Sequence, residues 1–478
     1  MKAIYILALC VTLVMAKPAD EIVKELPDMG KFDRFDMYSG YLEIPNKQRK
    51  LHYVFAESQN DPATDPLVIW FNGGPGCSSM LGFIQEHGPY SMPDGDPNFY
   101  ENPNSWNKEA NMLYIESPAG VGYSYFWDRE TDSFDDLTSS EDNYAALEAF
   151  YEKFPEYLDH DLFISGESYA GIYVPYLAWQ VIQNGLKYNL KGIIVGNGVT
   201  NYTYDTGKAY GGTAFWHNLY SLEMLDEIKE NHCTWLNIDG VKPGKENEEA
   251  CTNLYYKFRS LVSEINIYDV YRKCYTDDDI DRLGTTMING ELKTYKRGMT
   301  AREYTPFAFD DDHIDESLRL NPPCVYGSGP TDYLNRQDVR DALNVETDQP
   351  WELCVGAERI NYSRGEKASY WIYPTLFENN IRVLHFSGNA DGSVPTQGTR
   401  DWIHSLNLPK ARDFGPFYIE DKQVGGFVEY FEGITFAAIT GIGHMAAQWS
   451  PVATKHVVYQ FIKDLPIDGN DNYASVTA

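Results

Sequence analysis

Short runs of β-branched and aromatic residues punctuate the chain at Leu67 to Phe71, Met112 to Ile115, Leu162 to Ile164, Gly192 to Val195, Arg382 to Phe386 and Thr435 to Ile439. Between them lie amphipathic stretches with helical spacing of apolar and polar positions, among them Ser140 to Phe154, Tyr169 to Asn184 and Pro451 to Leu465. This alternation predicts an α/β fold, a doubly wound and mostly parallel sheet covered by helices on both faces. The rhythm fails from about Tyr202 to Pro323, where Cys233, Cys251, Cys274 and the acidic clusters Asp277 to Asp279 and Asp310 to Asp312 replace any βα repeat. That segment reads as an insertion between core strands. The expected plan is a core over 17–201, a cap over 202–323 and a second part of the core over 324–478. The acidic clusters lack the Gly and Glu spacing of a calcium loop and read as solvated loops.

Residues 1–16 carry Lys2, the apolar run Ala3 to Met15 and a small residue before the charged stretch Lys17 to Lys24. The run is too short to span a bilayer as a mature helix and reads as a cleaved signal peptide. No other window resembles a membrane span, so no stable membrane anchor is expected. The chain has 478 residues, 43% of them hydrophobic, which excludes disorder and allows a large core. Acidic residues outnumber basic ones 70 to 39, and a net charge of −31 would repel phosphate backbones, so nucleic acid is not an expected partner. The acidity fits solubility or an acidic compartment and carries no mechanism of its own.

Without the leader and its Cys10, the cysteines are Cys77, Cys233, Cys251, Cys274, Cys324 and Cys354. An even set in a secreted chain predicts three disulfides, and spacing alone leaves all fifteen pairings open. Asn201-Tyr202-Thr203 and Asn361-Tyr362-Ser363 are glycosylation sequons that secretion makes usable.

The chemistry centres on Gly166-Glu167-Ser168-Tyr169-Ala170-Gly171, which joins a predicted strand to a predicted helix. There a serine is presented on a sharp turn, its hydroxyl above the sheet at a helix N-terminus, as a nucleophile elbow requires. The second glycine arrives one position later than in the usual Gly-x-Ser-x-Gly. On α/β-hydrolase scaffolds the nucleophile is followed in chain order by the acid and then the histidine, each on a loop after a strand. His444, reached through Gly441-Ile442-Gly443, meets that condition; His385 falls within a strand, and His404 and His456 fall in helical patterns. Asp391 is the only carboxylate in the loop Ser387-Gly388-Asn389-Ala390-Asp391-Gly392 that follows the preceding core strand, and would hold the His444 tautomer. The run Trp70 to Ser79, rich in glycine, offers backbone amides for an oxyanion, and the amides of Gly74 and Tyr169 are the nominated pair. A phosphate loop is excluded because no Gly-Lys-Ser/Thr follows and Pro75 removes an amide.

Four blocks carry a family resemblance: Trp70-Phe71-Asn72-Gly73-Gly74-Pro75-Gly76-Cys77-Ser78-Ser79, Glu116-Ser117-Pro118-Ala119-Gly120-Val121-Gly122-Tyr123-Ser124, the Ser168 elbow, and Gly441-Ile442-Gly443-His444-Met445. The chain from about Tyr38 to the last helix resembles the serine carboxypeptidases, the family of yeast carboxypeptidase Y and lysosomal cathepsin A. The resemblance implies an α/β-hydrolase fold with a largely helical cap. It also implies acyl-enzyme hydrolysis of the C-terminal peptide bond of a peptide or protein, favoured at acidic pH. It assigns recognition of the substrate's free α-carboxylate to Asn72, the Gly73 amide, Glu86 and Glu167, where two clustered carboxyls sharing a proton can hydrogen-bond a carboxylate. It pairs Cys77 with Cys354, Cys233 with Cys251 and Cys274 with Cys324. It implies no cofactor or metal, leaves a homodimer open, and places the chain in the secretory pathway, in a lysosome or vacuole or outside the cell.

Two departures stand out. The family's His-x-Val-Pro is replaced by Met445-Ala446-Ala447, which alters the pocket of the leaving residue and makes Met445 a marker of apolar or broad preference there. The loop that often reads Gly-Asp-x-Asp carries Asn389, leaving Asp391 without a rival. Two alternatives belong to other classes: an acyltransferase, in which an alcohol resolves the acyl-enzyme, and a protective or scaffolding partner.

Overall fold

The computed structural model describes residues 17–45, 47–127, 132–205, 207–233, 247–275, 283–297, 324–357 and 359–469. The expected leader over 1–16 and both acidic clusters lie outside the described residues.

Ten strands build the spine of the sheet: β1 (Met37–Ile44), β2 (Arg49–Ala56), β3 (Leu67–Phe71), β4 (Asn111–Ile115), β5 (Leu162–Glu167), β6 (Leu190–Gly196), β7 (Arg382–Gly388), β8 (Lys410–Tyr418), β9 (Val424–Phe431) and β10 (Ile434–Ile439). Their order across the sheet is β8-β9-β10-β7-β6-β5-β3-β4-β2-β1, with the short strand Tyr125–Phe126 paired to β2 as an eleventh. The six from β10 to β4 pair in parallel, and an antiparallel pair flanks them on each side. Strand β3, Leu-Val-Ile-Trp-Phe, is buried at every position. Its alternate side chains feed two cores: Val68 and Trp70 pack on one face, Leu67, Ile69 and Phe71 on the other. A strand buried on both faces reads as a continuous apolar run, which is why the sequence betrays it.

The helix Asp136–Lys153 begins four residues before the expected Ser140 because Asp135 caps it. The Asp135 carboxylate accepts from the Thr138 amide at 2.7 Å, and the Asp135 amide donates back to Thr138 Oγ1 at 2.8 Å. This helix and Ala170–Gln183 cover one face, and Pro451–Ile462 packs on the other. Everything from Asn197 to Ile381 intervenes between β6 and β7, which are neighbours in the sheet. The described part of 202–323 contains the helices Gly207–Trp216, Leu222–Glu230 and Glu248–Leu261. It also holds a hairpin, Leu283–Ile288 with Glu291–Lys296, that the sequence reading did not anticipate. Its turn is Asn289-Gly290, both residues at positive φ, the signature of a two-residue hairpin loop. Disulfides join Cys77 to Cys354, Cys233 to Cys251 and Cys274 to Cys324, the pairing the resemblance implies. Among the described residues no helix is long and apolar enough to cross a membrane.

Candidate active site

Strand β5 runs to Glu167 and delivers Ser168 at φ +64, a backbone conformation that costs a non-glycine residue about 1–3 kcal/mol. The surroundings fix it. The Ser168 amide donates to the Gly196 carbonyl at 3.1 Å, and its carbonyl accepts from the amides of Gly171 and Val199, both at 2.9 Å. A Cβ on Gly171 would stand 2.4 Å from the Val199 carbonyl oxygen, so only glycine lets the helix start this close to the neighbouring loop. The register of β5 on β3, which pairs Gly166 with Phe71, sets Asn72–Gly74 beside Glu167–Tyr169. A Cβ on Gly73 would meet the Tyr169 amide nitrogen at 2.3 Å. The two segments nominated for the oxyanion therefore touch, with Gly74 at φ +117 turning the chain away.

The parallel strands bring Asp391, after β7, and His444, after β10, to the same C-terminal edge of the sheet as Ser168. His444 Nδ1 lies 2.6 Å from Asp391 Oδ2, and both side chains are buried. The other histidines singled out in the sequence have structural partners. His385 sits against the Tyr373 hydroxyl at 2.7 Å, with its pKa pushed down to about 3 by burial; His404 pairs with Glu429, and His456 with the Ile467 carbonyl. Asn389, the departure from the family pattern, accepts the Gly441 amide on Oδ1 at 2.8 Å and so braces the loop that carries His444. Met445 is buried at the start of the helix Ala446–Trp449.

Asn72, Glu86 and Glu167 are each no more than 3% exposed. Trp70 Nε1 and the Gly82 amide both donate to Asn72 Oδ1, at 2.8 and 3.0 Å, which orients the Asn72 amide so that Nδ2 donates to Glu86 Oε1 at 3.0 Å. Burial pushes the Glu86 carboxyl up to about 7 against the opposing pull of Asn72, Glu167 and His444. Burial, followed by the charge and hydrogen bond of Glu86, holds Glu167 well above the usual carboxylate range. The two side chains thus form a pair of carboxyls, both raised, beside Ser168.

Sequence reasoning missed three residues that hold this arrangement. Asn197 Nδ2 donates to Asp391 Oδ2 at 2.8 Å, and its Oδ1 accepts the Gly388 amide at 3.0 Å. Asp136 accepts the hydroxyls of Tyr169 and Tyr362 at 2.6 and 2.8 Å, anchoring the side chain next to Ser168. Asp269, in the insertion, accepts the Gly443 amide at 2.9 Å. None of the three stands out in the sequence, where each reads as an ordinary polar residue. Of the two sequons, Asn361 is exposed and Asn201 is buried.

The sequence model of the family described as Serine carboxypeptidase matches residues 27–464. The mouse protein named Lysosomal protective protein is 35% identical over 462 residues, covering 94% of this chain and 95% of its own. Serine carboxypeptidase 1 of barley, Hordeum vulgare, is 33% identical over 444 residues and 87% of each chain. Among solved structures, Kex1(delta)p, a prohormone-processing carboxypeptidase from Saccharomyces cerevisiae, superposes with a TM-score of 0.66 over 90% of this chain and 91% of its own. At 22% identity this similarity speaks for the fold.

Proposed function

Because the chain belongs to the serine carboxypeptidase family, we propose that Ser168, His444 and Asp391 are the triad that removes the C-terminal residue of a peptide or protein. Ser168 Oγ attacks the carbonyl of the last peptide bond while His444 Nε2 takes its proton, and Asp391 stabilises the imidazolium through Nδ1. The amides of Gly74 and Tyr169 take up the negative oxygen of the tetrahedral intermediate. His444 then protonates the departing amino acid, and water repeats the sequence on the acyl-enzyme to regenerate Ser168.

The observation that carries the exopeptidase reading is the buried Glu86 and Glu167 pair beside the elbow, both carboxyls raised above the usual carboxylate range. A substrate's α-carboxylate would accept hydrogen bonds from the pair's protons, from Asn72 Nδ2 and from the Gly73 amide, fixing the C-terminal bond over Ser168. Once both carboxyls ionise they repel the same group, so binding belongs to acidic pH. Met445, next to His444, gives the leaving side chain an apolar wall. An acidic compartment of the secretory pathway suits this chemistry, and the mouse relative bears a lysosomal name. The exposed Asn361 is the sequon open to a glycan. The described part of 202–323 serves as the cap over the site.

Mass analysis of a digest tests the reading. An N-terminally blocked peptide incubated at acidic pH should shorten from its C-terminus one residue at a time. Internal cleavage, or no cleavage of free-acid peptides, would contradict it.

A further inference from the structure

The segment 265–274 of the insertion does more than lie over the site. Its backbone reaches both loops that carry the acid and the base. On the acid side, the Gly392 amide donates to the Ile267 carbonyl at 2.8 Å and the Val270 amide donates to the Ala390 carbonyl at 3.1 Å, bracketing Asp391. On the base side, the His444 amide itself donates to the Tyr268 carbonyl at 2.7 Å, and the Gly443 amide donates to Asp269 Oδ2 at 2.9 Å. The Tyr268 ring lies 5.1 Å from the imidazole, centroid to centroid. A Cβ on Gly443 would stand 1.9 Å from the Tyr268 carbonyl oxygen and 2.6 Å from Asp269 Cβ, so the two loops are in direct backbone contact.

The segment is itself braced. Asn266 Oδ1 accepts the Tyr268 amide at 3.0 Å while its Nδ2 donates to the Lys273 carbonyl at 3.1 Å, and Asp269 Oδ1 accepts the Tyr271 amide at 3.0 Å. Cys274, at its end, is tied to Cys324. Asp269 is 2% exposed and divides its two oxygens between the turn it belongs to and the loop of the base. A buried carboxylate placed between two backbone amides is costly to install, and nothing in the triad's own chemistry requires it.

The geometry points to Asp269 as a positioning residue and to 265–274 as a clasp that sets the distance and angle between His444 and Asp391. Because acyl transfer depends on sub-ångström alignment of nucleophile and base, loosening this clasp lowers turnover without removing any group that touches the substrate. The insertion is thereby part of the catalytic frame. This inference rests on the triad assignment above.

The test compares Asp269→Ala and Asp269→Asn with the parent enzyme on a free-acid peptide, with His444→Ala alongside and thermal unfolding to verify folding. Asp269→Ala strips both amides of their acceptor, and kcat should fall at least about tenfold while KM stays within about threefold. Asp269→Asn keeps one acceptor oxygen for two amides and should fall between the alanine variant and the parent. A kcat within threefold of the parent in both variants, or a loss confined to KM, overturns the clasp. Should Asp269→Ala fail to fold, the isosteric Asn variant decides on the same threefold criterion. His444→Ala separates the two levels: if it still turns over, the triad reading itself fails, whereas an inert His444→Ala beside unaffected Asp269 variants rejects the clasp alone.

Discussion

Asn197 donates its side-chain amide to Asp391 Oδ2 at 2.8 Å, the same oxygen that His444 Nδ1 approaches to 2.6 Å. With the Ser393 amide at 2.7 Å on Oδ1, Asp391 is held from three directions and has one orientation. Asn197 stands at φ +42 at the end of β6, so its backbone is committed to this placement too.

Asn197→Ala removes one donor from Asp391 and the acceptor of the Gly388 amide. Leaving buried groups unpaired costs about 1–3 kcal/mol, and the freed Asp391 misaligns the imidazole. The expected outcome is a kcat lower by about tenfold or more with KM little changed, checked by steady-state kinetics and by slower fluorophosphonate labelling of Ser168.

The protonated glutamates make stability depend on pH with a definite sign. Below the ordinary carboxylate value of 4.5, Glu86 holds its proton in both the folded and the unfolded chain, and its stabilising contribution is fully present. Between 4.5 and about 7 the folded state keeps a proton that the unfolded state has released, so stability falls as pH rises through this window. Glu167 and Asp205, whose carboxyls burial also raises, add slopes of the same sign. Glu86→Gln cannot ionise and should therefore unfold at a higher temperature than the parent at pH 7.5, while the two converge near pH 4.5. On the order of 3 kcal/mol separates them at the upper end for a shift of this size. Melting curves at the two pH values decide; an unchanged difference would reject the buried-proton account.

The bridge Cys77–Cys354 closes over the glycine-rich loop rather than over a remote surface. Beside it, the Ser78 amide donates to the Leu353 carbonyl and the Val355 amide to the Gly76 carbonyl, both at 2.9 Å. A Cys77→Ser, Cys354→Ser variant should lose about 2–5 kcal/mol of stability in chemical unfolding. It should also lose turnover at temperatures where it remains folded, because the Gly74 amide rides on the loop so anchored.

Much of this was legible in the sequence because it depends on local pattern. Strands buried on both faces announce themselves as apolar runs, and the Ser168 elbow, the His444 loop and Asp391 follow from chain order along such strands. Helix ends were less legible: the Asp135 cap shows as a start only once Thr138 is seen to answer it. The hairpin at 283–296 was overlooked although Asn289-Gly290 is a strong turn signal, because acidic loops and cysteines dominate its surroundings. The roles of Asn197, Asp136 and Asp269 lay beyond the sequence, since each acts across 33 to 226 positions of chain separation and nothing local distinguishes it from an ordinary polar residue.

The most direct measurement is the ratio of kcat/KM for one peptide as its free acid and as its C-terminal amide, followed from pH 4.5 to 7.5. Taking the ratio cancels every effect on the triad that both substrates share and leaves the Glu86 and Glu167 pair. The free acid should be strongly preferred at acidic pH, with the preference shrinking as pH rises through about 7. Equal turnover of acid and amide at acidic pH, or a ratio that does not change with pH, would contradict the assignment.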